Sequence, residues 1–220
     1  MSLNNEFEWP VDWYDIDCKS CNRLSAFLSG VKDEQPAYFC RPVPPFGDRQ
    51  ARLLIVGLAP GKHGANATGR PFTGDYAGTL LYQTLYKFGF ASKPESIDRQ
   101  DGLRLINCRI TNAVKCLPPQ NKPTGEEAKR CNRFLSAELS EPSVEVILTL
   151  GILAHQAVLR SYGYRLNQYK FGHNHSHRLE NGIRLINSYH CSRYNTQTKR
   201  LTTTMFVQVF KSIVAELDKR

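Results

Sequence analysis

Cysteine spacing carries the first chemical signal. Cys18 and Cys21 stand at C-x2-C spacing, and fourteen residues separate Cys116 from Cys131. Two thiolates two residues apart can grip one metal from a single turn, and a full site takes two more from elsewhere in the chain. Cys116 lies in the proline-stiffened run Lys115-Cys116-Leu117-Pro118-Pro119, and Cys131 falls on a predicted helix. Loop followed by helix can bring both to one point. Four sulfur ligands suit zinc and an iron–sulfur cluster equally well, and spacing does not separate the two. Four unrelated buried thiols are the plainer alternative. Cys40, Cys108 and Cys191 read as structural or incidental.

A second signal is the stretch Gly57-Leu58-Ala59-Pro60-Gly61-Lys62-His63-Gly64, continuing through Gly69-Arg70-Pro71-Phe72-Thr73-Gly74-Asp75-Tyr76-Ala77-Gly78. A phosphate-binding P-loop needs four residues between its first glycines and a Ser or Thr after its Lys. Here three residues separate Gly57 from Gly61, and His63 follows Lys62. Six glycines from Gly57 to Gly78 argue instead that backbone must approach a ligand closely. Asp75 opens a predicted helix near Tyr76, where its carboxylate serves as an N-cap or as a reacting group. Asn112 follows a predicted strand, with an Asx turn as its ordinary role. His190 ends another strand, and Phe72 is core by default. His173-x-His175-x-His177 would share one face of an extended segment and could bind a divalent metal. No fourth ligand accompanies them.

These residues sit at the ends of elements that the pattern predicts. Leu53 to Gly57 is a short branched apolar run, a buried strand. Further strands are expected within 103–114, at 144–150 and at 183–188. Helices are expected over 79–90, from Thr124 with Glu126 and Glu127 in its first turn toward Leu139, over about 152–161, and over 201–217. The first forty residues lack clear periodicity, and Arg41 to Gly47, with three prolines, reads as extended loop. Strand and helix in alternation indicate an α/β fold with a mostly parallel sheet. In such sheets ligands bind beyond the carboxyl ends of the strands. The loops beginning at Gly57, Thr111 and Tyr189 meet there.

The chain of 220 residues is long enough to bury a full core, and 41% hydrophobic with 22% charged residues is the composition of an ordered globular protein. The longest apolar run, 146–154, is far short of the roughly 18 residues a membrane span needs. The N-terminus MSLNNEFEWP lacks a basic-then-apolar signal region. No membrane partner is therefore expected, and the expected location is cytoplasmic, or nucleoid-associated in a bacterium. The balance of 29 Lys+Arg against 20 Asp+Glu, a net charge of +9, favours polyanionic partners.

Taken together, these stretches resemble the type-5 (type b) uracil-DNA glycosylases. GLAPGKHGANATGRPFTGD is similar to that family's first motif. His190-Cys191-Ser192-Arg193-Tyr194-Asn195-Thr196-Gln197-Thr198 resembles its His-Pro-Ser-x-x-Asn-x-x-Thr motif, and Thr111 to Cys116 the segment between them. The two cysteine pairs resemble its four cluster ligands. The resemblance implies a three-layer αβα sandwich with a four-stranded mostly parallel sheet. It implies one domain over 1–220, with residues 1–47 a cluster-binding extension, and a [4Fe-4S] cluster on Cys18, Cys21, Cys116 and Cys131. The implied activity is a monofunctional glycosylase, expected monomeric, that flips uracil out of DNA and hydrolyses its N-glycosidic bond. Hypoxanthine and other modified bases are further expected substrates.

By position in the motifs, Asp75 and His190 are the expected catalytic pair. Gly57, Leu58, Phe72 and Asn112 are expected around the base, and Ser192, Arg193, Tyr194, Asn195 and Thr198 on the DNA backbone or in the gap left by the flipped base. Lys199 and Arg200 follow as backbone-charge contacts. Two departures stand out. Cys191 replaces the usual Pro, which implies a less rigid loop after His190. Leu58 stands where the related type-4 enzymes carry a Glu. Leu58 cannot activate water, so the motif favours type 5 over type 4. A type-4-like enzyme and a DNA-binding iron–sulfur redox sensor without glycosylase activity are the alternatives.

Overall fold

The computed structural model describes residues 9–219. Six strands form one sheet in the order β1-β3-β2-β4-β6-β5. They are β1 (Phe46–Gly47), β2 (Leu53–Gly57), β3 (Cys108–Asn112), β4 (Val146–Leu150), β5 (Ser176–Arg178) and β6 (Arg184–Ser188). The four strands expected from the sequence are the parallel centre, β3-β2-β4-β6. The sheet exceeds the expected four by two short antiparallel edge strands, β1 and β5. Their two and three residues carry no apolar alternation that a pattern could register.

Every residue of β2, β3 and β4 is buried, because helices cover both faces. Leu53 and Ile55 of β2 face α3 (Tyr76–Lys87) and α7 (Thr203–Leu217), meeting Leu81, Leu85, Phe206 and Phe210. Leu54 and Val56 face α4 (Gly125–Leu139) and α5 (Ile152–Ser161), meeting Leu135, Leu139, Ala154 and Val158. The result is the expected αβα arrangement. The chain leaves β2 toward α3 on one face and β4 toward α5 on the other. A crevice therefore opens between the carboxyl ends of those two strands.

The N-terminal region holds a helix that lacked a clear signal, α1 (Asn22–Glu34), with Leu24, Leu28 and Val31 buried. Tertiary contacts hold both of its ends. Near its start, Arg23 makes a two-pronged pair with Glu127 of α4, at 2.8 and 2.6 Å. Glu127 is also half of a capping box with Thr124. At its far end, Glu34 pairs with Lys62 at 2.8 Å, and Tyr38 meets His63 Nδ1 at 2.8 Å. One helix thus runs from the first cysteine pair to the Gly-rich loop. No described helix is long and apolar enough to cross a membrane.

Candidate active site

The Gly-rich loop leaves β2 at Gly57, forms the single turn α2 (Ala65–Thr68) and enters α3 at Asp75. Asp75 caps that helix, and its Oδ1 accepts the Gly78 N–H at 3.1 Å. Its other oxygen lies against the loop: a Cβ added to Gly64 would fall 2.3 Å from Oδ2. Phe72 is held at φ 54°, a left-handed backbone that costs a bulky residue about 1–2 kcal/mol. Gly78 makes this turn possible, since a Cβ there would lie 1.8 Å from the Phe72 carbonyl oxygen. The Arg70–Asp101 ion pair braces the turn from behind at 2.8 Å, with Tyr82 donating to the Pro71 carbonyl at 2.8 Å.

Three strand ends complete the site. Gly57 pairs in register with Asn112 at the end of β3. A Cβ on Gly57 would come 2.5 Å from Asn112 Oδ1 and 2.8 Å from Phe72 Cζ, so the carboxamide and the ring both close on that glycine. Two residues beyond β6, the His190 imidazole stacks on Phe72 with centroids 5.9 Å apart. Its Cβ lies 3.7 Å from where a Cβ on Gly151, after β4, would stand. Cys191 is fully buried, near enough for the Asp75 charge to act on it. Asp75, Phe72, Asn112 and His190 are thus gathered at the carboxyl ends of the parallel strands. Neither the Asn112 carboxamide nor the His190 ring hydrogen-bonds a described residue. The Gly57 and Leu58 carbonyls are engaged by the Ala113 and Val114 N–H groups, both at 2.9 Å. A wider groove lined by Trp9, Tyr14, Phe39 and Phe46 lies apart from these residues.

Burial sets the electrostatics. The Asp75 carboxyl is pushed above the usual carboxylate range by desolvation, against the pull of the Gly78 and Ala77 N–H groups. His190 keeps a partly exposed edge, but protein encloses most of the ring and lowers its pKa to about 4. The imidazole is therefore neutral near pH 7, a donor without charge.

The four cysteines of the two pairs line one small cavity between the start of α1 and α4. Cys131 Sγ accepts the Lys115 N–H at 3.3 Å, and Arg133 Nη2 lies 3.9 Å from Cys18 Sγ. Burial pushes the Cys116, Cys131 and Cys21 thiols up. Among the described residues no three His, Cys, Asp or Glu side chains stand close enough to hold a single ion. A lone zinc draws its sulfurs in to about 2.3 Å. Four cysteines around one cavity, with Arg130 and Arg133 at its border, are a donor set that a sulfur-ligated group takes.

A sequence profile of the uracil DNA glycosylase superfamily matches residues 44–214. The chain belongs to this superfamily. A type-5 uracil-DNA glycosylase of Thermus thermophilus is 48% identical, over 87% of this chain and 90% of its own length. One from Pyrobaculum aerophilum is 40% identical, over 94% and 95%. A type-4 uracil-DNA glycosylase of Thermotoga maritima aligns over only 49% of each chain, at 38% identity. The type-5 relatives thus extend across the chain where the type-4 one does not, in keeping with Leu58. The superfamily match begins at residue 44 and leaves out Cys18 and Cys21.

In this superfamily member the segment after His190 differs from the expected loose loop. Arg193–Gln197 forms a short helix, α6, capped by Ser192. Asn195 Nδ2 donates to the His190 carbonyl at 2.8 Å and secures the turn that a proline would otherwise stiffen. Thr198 Oγ1 donates to the Tyr194 carbonyl at 2.8 Å. Tyr194 stands 71% exposed, and Arg193 lies 6.0 Å over the Tyr76 ring beside Asp75. Among the described residues the three histidines join no group that could hold a metal ion, and each takes its own partner. His173 stacks on Tyr189 at 5.1 Å, His177 meets the Lys170 carbonyl at 2.8 Å, and His175 packs on Gly172. The Gly-rich stretch showed Gly64 and Gly78 as glycines but not their contacts with Asp75 and Phe72, and nothing local showed the Arg70–Asp101 brace.

Proposed function

We propose that this protein excises uracil from DNA by hydrolysing the N-glycosidic bond, leaving an abasic site. The observation that carries the reading is a neutral His190 and an Asn112 carboxamide without a hydrogen-bond partner among the described residues, beside the Phe72 ring and the buried Asp75. A flipped base would stack on Phe72, a contact worth about 1–3 kcal/mol. The Asn112 carboxamide offers a donor and an acceptor to the edge of uracil. As the bond breaks, negative charge grows on the base and positive charge on the sugar. His190 donates a hydrogen bond to the base oxygen O2, and ionised Asp75 supports the sugar and orients water. Lys115 is held by Glu138 and Thr111, and Lys62 by Glu34, so neither serves as a Schiff-base nucleophile. Ser192, Arg193, Tyr194, Asn195 and Thr198 form the DNA-facing rim, with Tyr194 and Arg193 nearest the gap left by the base. Hypoxanthine is a second substrate under this reading. A redox sensor would have no use for an Asn112 carboxamide and a His190 ring that hydrogen-bond no described residue.

The testing experiment incubates the protein with duplex DNA holding one uracil and then treats it with alkali. Strand breaks at uracil, and none at a matched thymine, are expected. No alkali-labile site, with protein that binds the duplex, contradicts the proposal. Gly57→Ala probes the pocket itself. The added methyl must displace the Asn112 carboxamide and the Phe72 ring, so kcat/KM should fall about 10²-fold, the scale of an ångström's misplacement. Circular dichroism should show the fold retained.

Cys18, Cys21, Cys116 and Cys131 would hold a [4Fe-4S] cluster, which when bound supplies a cross-link between α1 and α4 and no step of hydrolysis. Cys18→Ala should lower yield and thermal stability far more than it changes base preference. Iron and sulfide analysis with a melting curve checks this, and a stable, colourless, fully active variant contradicts it.

A further inference from the structure

Behind the cysteine cavity lies a charge imbalance. Glu138 of α4 and Arg109 of β3 are wholly buried, and Lys115 is 2% exposed. Glu138 Oε1 accepts from Arg109 Nε at 2.9 Å, and its Oε2 lies 3.3 Å from Lys115 Nζ. One carboxylate thus faces two cations. Their remaining partners are neutral: the Asp48 and Arg49 carbonyls and the Trp13 ring for Arg109, and Thr111 Oγ1 at 2.5 Å for Lys115. Arg109 Nη2 is buried without a partner among the described residues. A buried charge with no opposite to answer it is strongly unfavourable. The surplus here is positive, and one of its two cations belongs to a residue at the cysteine cavity. Lys115 itself lines their cavity, and its N–H is bonded to Cys131 Sγ.

We propose that buried Lys115, held by Glu138 and Thr111, is the counter-ion of the thiolate-ligated cluster, the surplus charge of the Arg109–Glu138–Lys115 triad offsetting the cluster's negative charge. This rests on the cluster reading above. It also gives the arrangement a consequence at the base site, because Thr111 immediately precedes Asn112. The same ammonium group fastens the end of β3 that presents the carboxamide.

The test uses full-length protein purified without oxygen, with iron and sulfide measured first. Lys115→Met, Glu138→Gln and the double variant are then compared by cluster reduction potential and by the rate of iron release to a chelator. Removing the ammonium should shift the potential negative and speed iron release about tenfold, the low end of the effect of losing an outer-shell partner. Removing the carboxylate should shift the potential positive, and the double variant should return toward wild type. A purely structural role would move both single variants in the same direction. That result, or unchanged potentials in both, overturns the counter-ion. If Lys115→Met is recovered without a cluster, the sign of the Glu138→Gln shift decides. Wild-type protein lacking iron and sulfide removes the cluster reading itself, and the counter-ion with it.

Discussion

Asp75→Asn should slow single-turnover uracil excision by about 10²–10⁴-fold, the range of a positioned acid or base, while the protein stays folded. Asn caps helices as well as Asp does, so the bond from Gly78 N–H survives the exchange. What is lost is the negative charge beside the sugar. Asp75 also makes a sharper prediction about stability. Its folded pKa lies above the unfolded value, so the folded state binds this proton more tightly. The resulting stabilisation is present at acid pH and is lost as pH rises through the raised pKa. At neutral pH the buried carboxylate is therefore a burden that Asn removes. Urea unfolding at pH 7 should show Asp75→Asn at least as stable as wild type. The rate of the wild-type enzyme should fall, on acidification, at a higher pH than an ordinary carboxylate would give. Near-normal excision, or loss of activity through unfolding, would contradict the assignment.

His190→Ala should slow excision by about 10²–10³-fold, the effect of removing one donor to a developing oxyanion. Burial lowers its pKa to about 4, well below neutral pH. A neutral imidazole donates to O2 near neutral pH, so the variant should lose rate there without any change in the charge of the site. The linkage has the opposite sign to that of Asp75. His190 binds its proton less tightly in the folded state, so stability falls as pH drops from about 6.5 toward 4. His190→Ala should flatten that slope. His190→Asn, which keeps an N–H, should recover part of the rate. Equal rates for wild type and His190→Ala under single-turnover conditions would remove His190 from the chemistry.

The sequence predicted some parts of this architecture and not others, for physical reasons. β2 and α5 appear at their expected bounds because a branched apolar run and a helical stripe each face a core. The helix α1 escaped notice because its three buried residues are sparse and its ends are secured by Arg23–Glu127 and Glu34–Lys62, pairings between distant residues. α6 buries nothing, and it exists through the Ser192 cap and the Asn195–His190 bond. At the site, Asp75, Phe72, Asn112 and His190 were legible through the motifs that carry them. The left-handed backbone of Phe72 was not, since it depends on Gly78 meeting its carbonyl oxygen. Lys115 stands in the sequence only as a neighbour of Cys116, and nothing local reveals that its charge is buried against Glu138.

The most direct measurement is a crystal structure of Asp75→Asn bound to a duplex containing one deoxyuridine. The uracil should lie out of the helix with its ring against Phe72, its edge on the Asn112 carboxamide and O2 within hydrogen-bond reach of His190. A uracil still stacked in the duplex, or one held away from those three side chains, would contradict the account.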